Sequence, residues 1–486
     1  MLRPIVFSLL LAYGAVAQAQ LPPAVSQQLA AAKIADDAIS VLVLRGDTAL
    51  VSHFAERAMQ PASTIKVLTT LVGLEQLGPA FRGRTELRSA APVLQETLMG
   101  DLVLHGGADA DLDTAALTGM LQNVRNQGIR KIDGRIVQER ALFNPPRSDR
   151  GLPPFDESPD AYYNVIPDAL LVNKNMLLLD MRSSAERVQV VMQPSLDNVS
   201  IESGFTLIDT DCAKWEDGWK QPQVLYEAAG RIRIVLKGTY PKNCARGNSI
   251  NVLDRQDYVD RLVRQVWKQL GGEVTGAGVD AGMPAGTRLL AEHVSRSLPE
   301  VVRDINKPSD NTLARTVFLS LGSLEFDAVA GSKPLPVNAG ETTFSRTDAA
   351  IRNWMRKQGI HDAGLVLENG SGLSRTEKIS ALQMAGVLQA GLRSKWAPEY
   401  QASLPIAGVD GTMRRRLKDT PAFERARIKT GGLSNVVAIA GYVPDADGQL
   451  CVVVAMINSE KAGSGRAALD ALVEWVARTS AARPPM

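Results

Sequence analysis

Three short stretches carry residues whose types and spacing could perform nucleophilic chemistry. In "PASTIKVLTT" Ser63 precedes Lys66 by three positions. Residues i and i+3 share a helix face, so their hydroxyl and ammonium would meet. "NKPSDNTLART" holds Ser309, Asp310 and Asn311, and "RIKTGGLSNVVAIAGYV" holds Lys429, Thr430, Gly431 and Gly432. A serine hydroxyl is a weak nucleophile without an adjacent base. A lysine can serve only if its amine is neutral near pH 7, far below its ordinary pKa of about 10.4. Burial and a second cation both push in that direction. Each stretch alone also has a plain structural reading. Ser63 could cap a helix beside a snorkelling lysine, Ser309 and Asp310 could cap another, and Lys429 could guard a strand edge. Two glycines inside a strand need a further reason, and close approach of another backbone is the usual one.

The elements that must position these residues are legible from periodicity. Beyond Lys66, Val67, Leu68, Leu71, Val72, Leu74 and Leu77 are apolar nearly all round, which predicts a buried helix. Upstream, "ISVLVLRGDTALVSHF" reads as a hairpin turning at Gly46-Asp47. From about Thr85 the chain changes to short strands and Gly/Asp turns, among them "GDLVLHGGADADLD", "IDGRIVQE", "RVQVVMQPS" and "RIRIVLKGTYP", with "TAALTGMLQNVRNQG" a helix between them. "RQDYVDRLVRQVWKQLGG" is a helix with Gly271 as its C-cap, and helices are expected to dominate from there to about Ala390. The end reads strand, strand, helix. An early hairpin and a late strand pair imply one discontinuous domain, residues 20–85 plus 276–486, whose sheet uses both ends of the chain. Residues 86–275 would be inserted into it, as two small strand-rich domains. The fold class is therefore α/β (α+β).

Composition bounds the function. The chain has 486 residues, 45% hydrophobic and 22% charged, with a formal net charge of +2. That length predicts several domains, and the near-neutral balance gives no reason to expect nucleic acid as a partner. At the N-terminus Arg3, the apolar run Ile5–Ala12 and Ala17-Gln18-Ala19 form a cleavable secretory signal, residues 1–19, leaving Gln20 first in the mature chain. The apolar run falls short of the ~20 residues a membrane span needs, and no later segment supplies one. Export makes disulfides possible. Cys212 and Cys244 share a polar region and could close a loop, metal binding being the other use of such residues. Cys451, in the apolar "LCVVVAMI", reads as a buried free thiol. The four histidines are scattered, so no metal and no other cofactor is expected.

In this order, in an exported chain, the three stretches resemble the S-x-x-K, S-x-N and K-T-G triplet of penicillin-binding proteins and serine β-lactamases. The long separation of Ser63 from Ser309 narrows the resemblance to the low-molecular-mass class C penicillin-binding proteins, the D-alanyl-D-alanine carboxypeptidase/endopeptidases of peptidase family S13. "GDLVLHGGADADL", "ENGSGLSR" and "GVDGTMRRRL" also look like that family's segments, so the likeness runs from about residue 40 to 460. Gly432 is a departure, since the family often carries another residue after K-T-G. The resemblance implies a transpeptidase-like fold and a periplasmic serine D,D-peptidase acting on peptidoglycan stem peptides, with β-lactams as covalent inhibitors. It implies Ser63 as nucleophile, Lys66 as base, Ser309 as proton relay to the leaving amine and Asn311 as a clamp on the substrate backbone. Lys429 and Thr430 would bind the terminal carboxylate, the N–H groups of Ser63 and Gly432 would form the oxyanion hole beside Gly431, and Ser371 and Gly372 would shape an adjoining loop. Two rivals stand beside this reading: a β-lactamase, with Glu341 in the interval where one class keeps a water-activating glutamate, and a non-catalytic wall-binding protein. Oligomeric state is not encoded in any of these features.

Overall fold

A computed structural model describes residues 21–480; the expected signal segment and the tail from residue 481 lie outside the described residues. Its central sheet has five strands: β1 (Ile39–Arg45), β2 (Thr48–His53), β3 (Arg427–Leu433), β4 (Val436–Pro444) and β5 (Leu450–Asn458). Their spatial order is β2-β1-β5-β4-β3, antiparallel throughout. The two chain ends therefore meet in the β1–β5 ladder, where Ile39 faces Ile457 and Arg45 faces Cys451. The flanking helices include α1 (Pro23–Ala31), α2 (Lys66–Leu77), α3 (Leu298–Asn306), α4 (Asn311–Ser320), α5 (Ala381–Arg393) and α6 (Arg466–Arg478). Side chains alternate across a strand. Val437, Ile439, Val453 and Ile457 pack with α1 and α6, while Ala438, Ala440, Val454 and Met456 pack with α2, α3, α4 and α5. Coverage on both faces explains why β4 and β5 read as continuous apolar runs.

A separate hydrophobic core draws only on residues from Leu87 to Ala291. It joins a five-stranded sheet to two three-stranded sheets, with helices Thr114–Asn126 and Arg255–Gln269 packed between them. Here the structure corrects the expected run of helices after Gly271. Glu273–Val274, Gly278–Asp280 and Arg288–Val294 are strands, and Arg288–Val294 pairs with Arg84–Ser89 at the sheet edge. Glu273–Val274 and Gly278–Asp280 are only two and three residues long, and Arg288–Val294 is an edge strand, so none carries a clear period-two signal; sheet pairing nevertheless continues to Val294. Cys212 and Cys244 are joined by a disulfide, and Cys451 is a buried free thiol. Among the described residues no helix is long and apolar enough to cross a membrane.

Candidate active site

Ser63 lies on a short 3-10 turn, Ala62–Ile65, that runs directly into α2. Ala62 before it has φ +44°, a left-handed conformation that non-glycine residues adopt at a cost and that concentrates at functional sites. Lys66, the first residue of α2, is fully buried. Its Nζ donates to Ser63 Oγ at 2.9 Å, to Asn311 Oδ1 at 2.8 Å and to the Ser371 carbonyl. Burial drives its pKa well below the ordinary lysine value, and the nearby cations Lys429 and Arg315 push the same way. The amine is thereby disposed to be a neutral base.

On the other side of Ser63, Lys429 Nζ donates to Ser309 Oγ at 2.8 Å and to the Thr430 carbonyl at 2.8 Å. Lys429 is also fully buried, and burial brings its pKa down to about 7. Ser309 has φ +68°, and the turn hands over to α4, which Asp310 caps by accepting from Leu313 N at 2.8 Å. Asn311 opens that helix and donates to the Tyr163 carbonyl of the inserted region at 3.1 Å. Thr430 Oγ1 donates to Thr412 Oγ1 at 2.7 Å. The two glycines after Thr430 differ. A Cβ on Gly431 would sit 2.7 Å from the Pro61 carbonyl and 3.1 Å from Ser63 N, whereas one on Gly432 would meet nothing within 4 Å. Close backbone approach therefore accounts for Gly431 and leaves Gly432 without such a reason.

The loop Glu368–Leu373 completes the site through a residue that sequence reasoning missed. Glu377 is fully buried, and its carboxylate accepts the backbone N–H groups of Glu368, Asn369, Gly370 and Gly372 at 2.8–3.1 Å. Burial raises its pKa. This knot holds the Ser371 carbonyl on Lys66 and packs Gly372, at φ +82°, where a Cβ would lie 2.0 Å from the Ala62 carbonyl. Arg315 of α4 reaches Ser371 Oγ and the Val165 carbonyl, and burial lowers its pKa to about 10. Neither residue type carries a signal; their partners lie far away in sequence or are backbone.

Ser63, Ser309, Asn311, Gly372 and Gly432 open on a cleft of about 730 Å³ whose opposite wall is the inserted region, including Asp156, Tyr163 and Lys174. Glu341, weighed above as a water-activating residue, is not on that wall; its carboxylate accepts from Asn338. Among the described residues no group of three His, Cys, Asp or Glu side chains is placed to hold a metal ion.

The chain is similar to proteins of known kind. It is 27% identical over 410 residues to the D-alanyl-D-alanine carboxypeptidase DacB of Haemophilus influenzae, covering 83% of this chain and 81% of that one. It is 26% identical over 446 residues to the D-alanyl-D-alanine carboxypeptidase of an Actinomadura species, covering 90% and 80%. The crystal structure of penicillin binding protein 4 (dacB) from Haemophilus influenzae superposes with a TM-score of 0.74 at 24% identity, over 92% of this chain and 98% of that one, so the fold is shared. The model of the D-Ala-D-Ala carboxypeptidase 3 (S13) family matches residues 21–479, and this chain belongs to that family.

Proposed function

We propose that this member of the family is an extracytoplasmic serine D,D-peptidase that attacks D-Ala-D-Ala termini or cross-links of peptidoglycan stem peptides through a Ser63 acyl-enzyme. Lys66 takes the Ser63 proton as Oγ attacks the carbonyl carbon. The oxyanion is held by the N–H groups of Ser63 and Gly432; such a donor is typically worth about 10²–10³ in rate. Ser309, polarised by the Lys429 ammonium, passes its hydroxyl proton to the departing amine and regains one from Lys66, so the C–N bond breaks to leave the ester on Ser63 and Lys66 neutral again. Asn311 holds both the substrate backbone and Lys66. The buried Lys429 charge meets the substrate carboxylate through the Ser309 and Thr430 hydroxyls. Water then cleaves the ester and restores Ser63. The single observation that supports this reading is the 2.9 Å hydrogen bond between a wholly buried Lys66 amine and Ser63 Oγ.

A β-lactam carries a strained amide beside a carboxylate, so it should acylate the same serine, and its leaving amine stays tethered in the path of water. A short penicillin pulse followed by intact-protein mass spectrometry should give one adduct on the Ser63 peptide, lasting minutes or longer and absent in Ser63→Ala. Catalytic consumption of the drug without a lasting adduct would favour the β-lactamase reading. No adduct and no consumption would remove the enzyme reading. On purified muropeptides the products are D-alanine, separated cross-links, or both.

A further inference from the structure

The inserted region does more than wall the cleft. Asn173, Lys174 and Asn175 form a turn in which three consecutive non-glycine residues have positive φ, at +48°, +52° and +57°. Asparagine enters that region readily, but lysine has no local reason to do so. The turn is held in place by its neighbours. Asn173 Nδ2 donates to Thr114 Oγ1 at 2.8 Å and to Tyr258 Oη at 3.0 Å, and Asn175 Nδ2 donates to Asn251 Oδ1 and to the Leu253 carbonyl. Strain that the surroundings over-determine marks a functional position. Here it aims Lys174 out of its own unit and onto Asp310, the middle residue of Ser309-Asp310-Asn311.

We propose that Lys174 is a positioning residue of the catalytic centre, whose ammonium pins the Asp310 carboxylate and so fixes the start of the helix that presents Asn311 to Lys66. The proposal rests on the reading of Lys66 as base. Asp310 is tied to that centre twice. It caps α4 through Leu313 N, one residue from the Asn311 amide that accepts from Lys66, and its negative charge favours the protonated form of Lys66. The other charges facing Lys66 are Lys429, Arg315 and Glu377. The carboxylates that share clefts with Lys174 are mostly engaged elsewhere. Asp109 is paired with His293, Asp111 with Arg296 and Asp168 with Arg140; Asp113 caps its own helix, and Asp156 accepts from Tyr163 and Asn164. Glu157 lines the catalytic cleft. With Lys174 in place, the cation offsets the carboxylate nearest the second motif. Without it, Asp310 is free to leave the α4 cap and to hold a proton on Lys66.

The test is the rate of Ser63 acylation by a fluorescent penicillin as a function of pH. In Lys174→Met the acid limb of that profile moves up by about one pH unit, so the variant is about fivefold slower at the pH where the native enzyme is half-maximal. Lys174→Arg keeps the charge and the native limb. Asp310→Asn retains a good helix cap but loses the charge, and moves the limb downward. Combining it with Lys174→Met brings the limb back to within about 0.3 units of native. A limb that stays put in Lys174→Met overturns the proposal, whether the rate is unchanged or uniformly lowered. If that variant does not fold, Asp310→Asn decides alone: an unmoved or raised limb overturns the proposal. Absence of any adduct on the native protein would instead sink the D,D-peptidase reading.

Discussion

Lys66 and Lys429 are both fully buried, and both are pushed toward neutrality, yet the proposed chemistry asks opposite things of them. Lys66 must be neutral to take a proton, while Lys429 must be charged to attract a carboxylate. Lys429 titrates at about 7 in the free enzyme, so it is protonated below that pH and neutral above it. Free-enzyme ionisations appear in kcat/KM. The preference for a peptide with a free D-Ala carboxylate over its C-terminal amide should therefore be full below about pH 7 and fall as pH rises through it. The loss should reach about 10- to 100-fold, the worth of a charge-assisted hydrogen bond. Lys429→Ala should show the small, pH-independent ratio throughout. A ratio flat with pH in the native enzyme, or equal slowing of both peptides by the variant, would show that Lys429 does not read the carboxylate.

Elements present these side chains, and glycine decides how closely they approach. Gly372 must stay glycine on two counts, its positive φ and the Ala62 carbonyl 2.0 Å from any Cβ. Gly372→Ala should push the Glu368–Leu373 loop off the Ser63 turn and slow acylation by about 10² or more, a loss of the size that small misplacements cause. Gly432→Ala meets no protein atom within 4 Å and keeps its backbone N–H, so it should leave the fold intact and slow acylation less than Gly372→Ala does. Parallel acylation rates for the two variants check both. This contrast also marks the limit of what the sequence carries. Lys429-Thr430-Gly431-Gly432 announces a tight strand, but nothing in it distinguishes the two glycines, because the obstructing atoms belong to Pro61 and Ser63, some 370 residues away. Ser63, Lys66, Ser309, Asn311 and Lys429 could be named as candidates because each lies in a short local motif and the three motifs together resemble a known triplet. Glu377, Arg315 and Lys174 could not, because each acts through a partner set by tertiary structure.

At the scale of the whole molecule, periodicity was strongest where a face is buried. The β1–β2 hairpin, the Arg255–Gln269 helix and the strand–strand–helix end are found where hydrophobic spacing put them. The strands between Glu273 and Val294 escaped, being short, Gly-rich or at a sheet edge, where pairing partners decide the conformation. The inserted unit is also covalently closed. The Cys212–Cys244 bond spans 32 residues, and a loop of that size stabilises by about 3–4 kcal/mol in the chain-entropy model. Thiol titration under denaturing, non-reducing conditions should find one free thiol, Cys451. Three would mean that the bond does not form in the protein as produced.

The meeting of the two chain ends in the β1–β5 ladder has a consequence for how the enzyme comes into being. Every residue assigned to the chemistry precedes residue 433, yet β1 cannot pair until β5, which begins at Leu450, has been made. The stretch from Arg84 to Val294 holds its own core and can close before the chain ends meet. The catalytic unit must wait for the last tenth of the chain, with the β1 edge that receives β5 left unpaired until then. Contacts of such long sequence separation form slowly. On the proposed mechanism Lys66 becomes a base only by burial, so until then it stays an ordinary solvated ammonium and an unfinished chain carries Ser63 without the means to activate it.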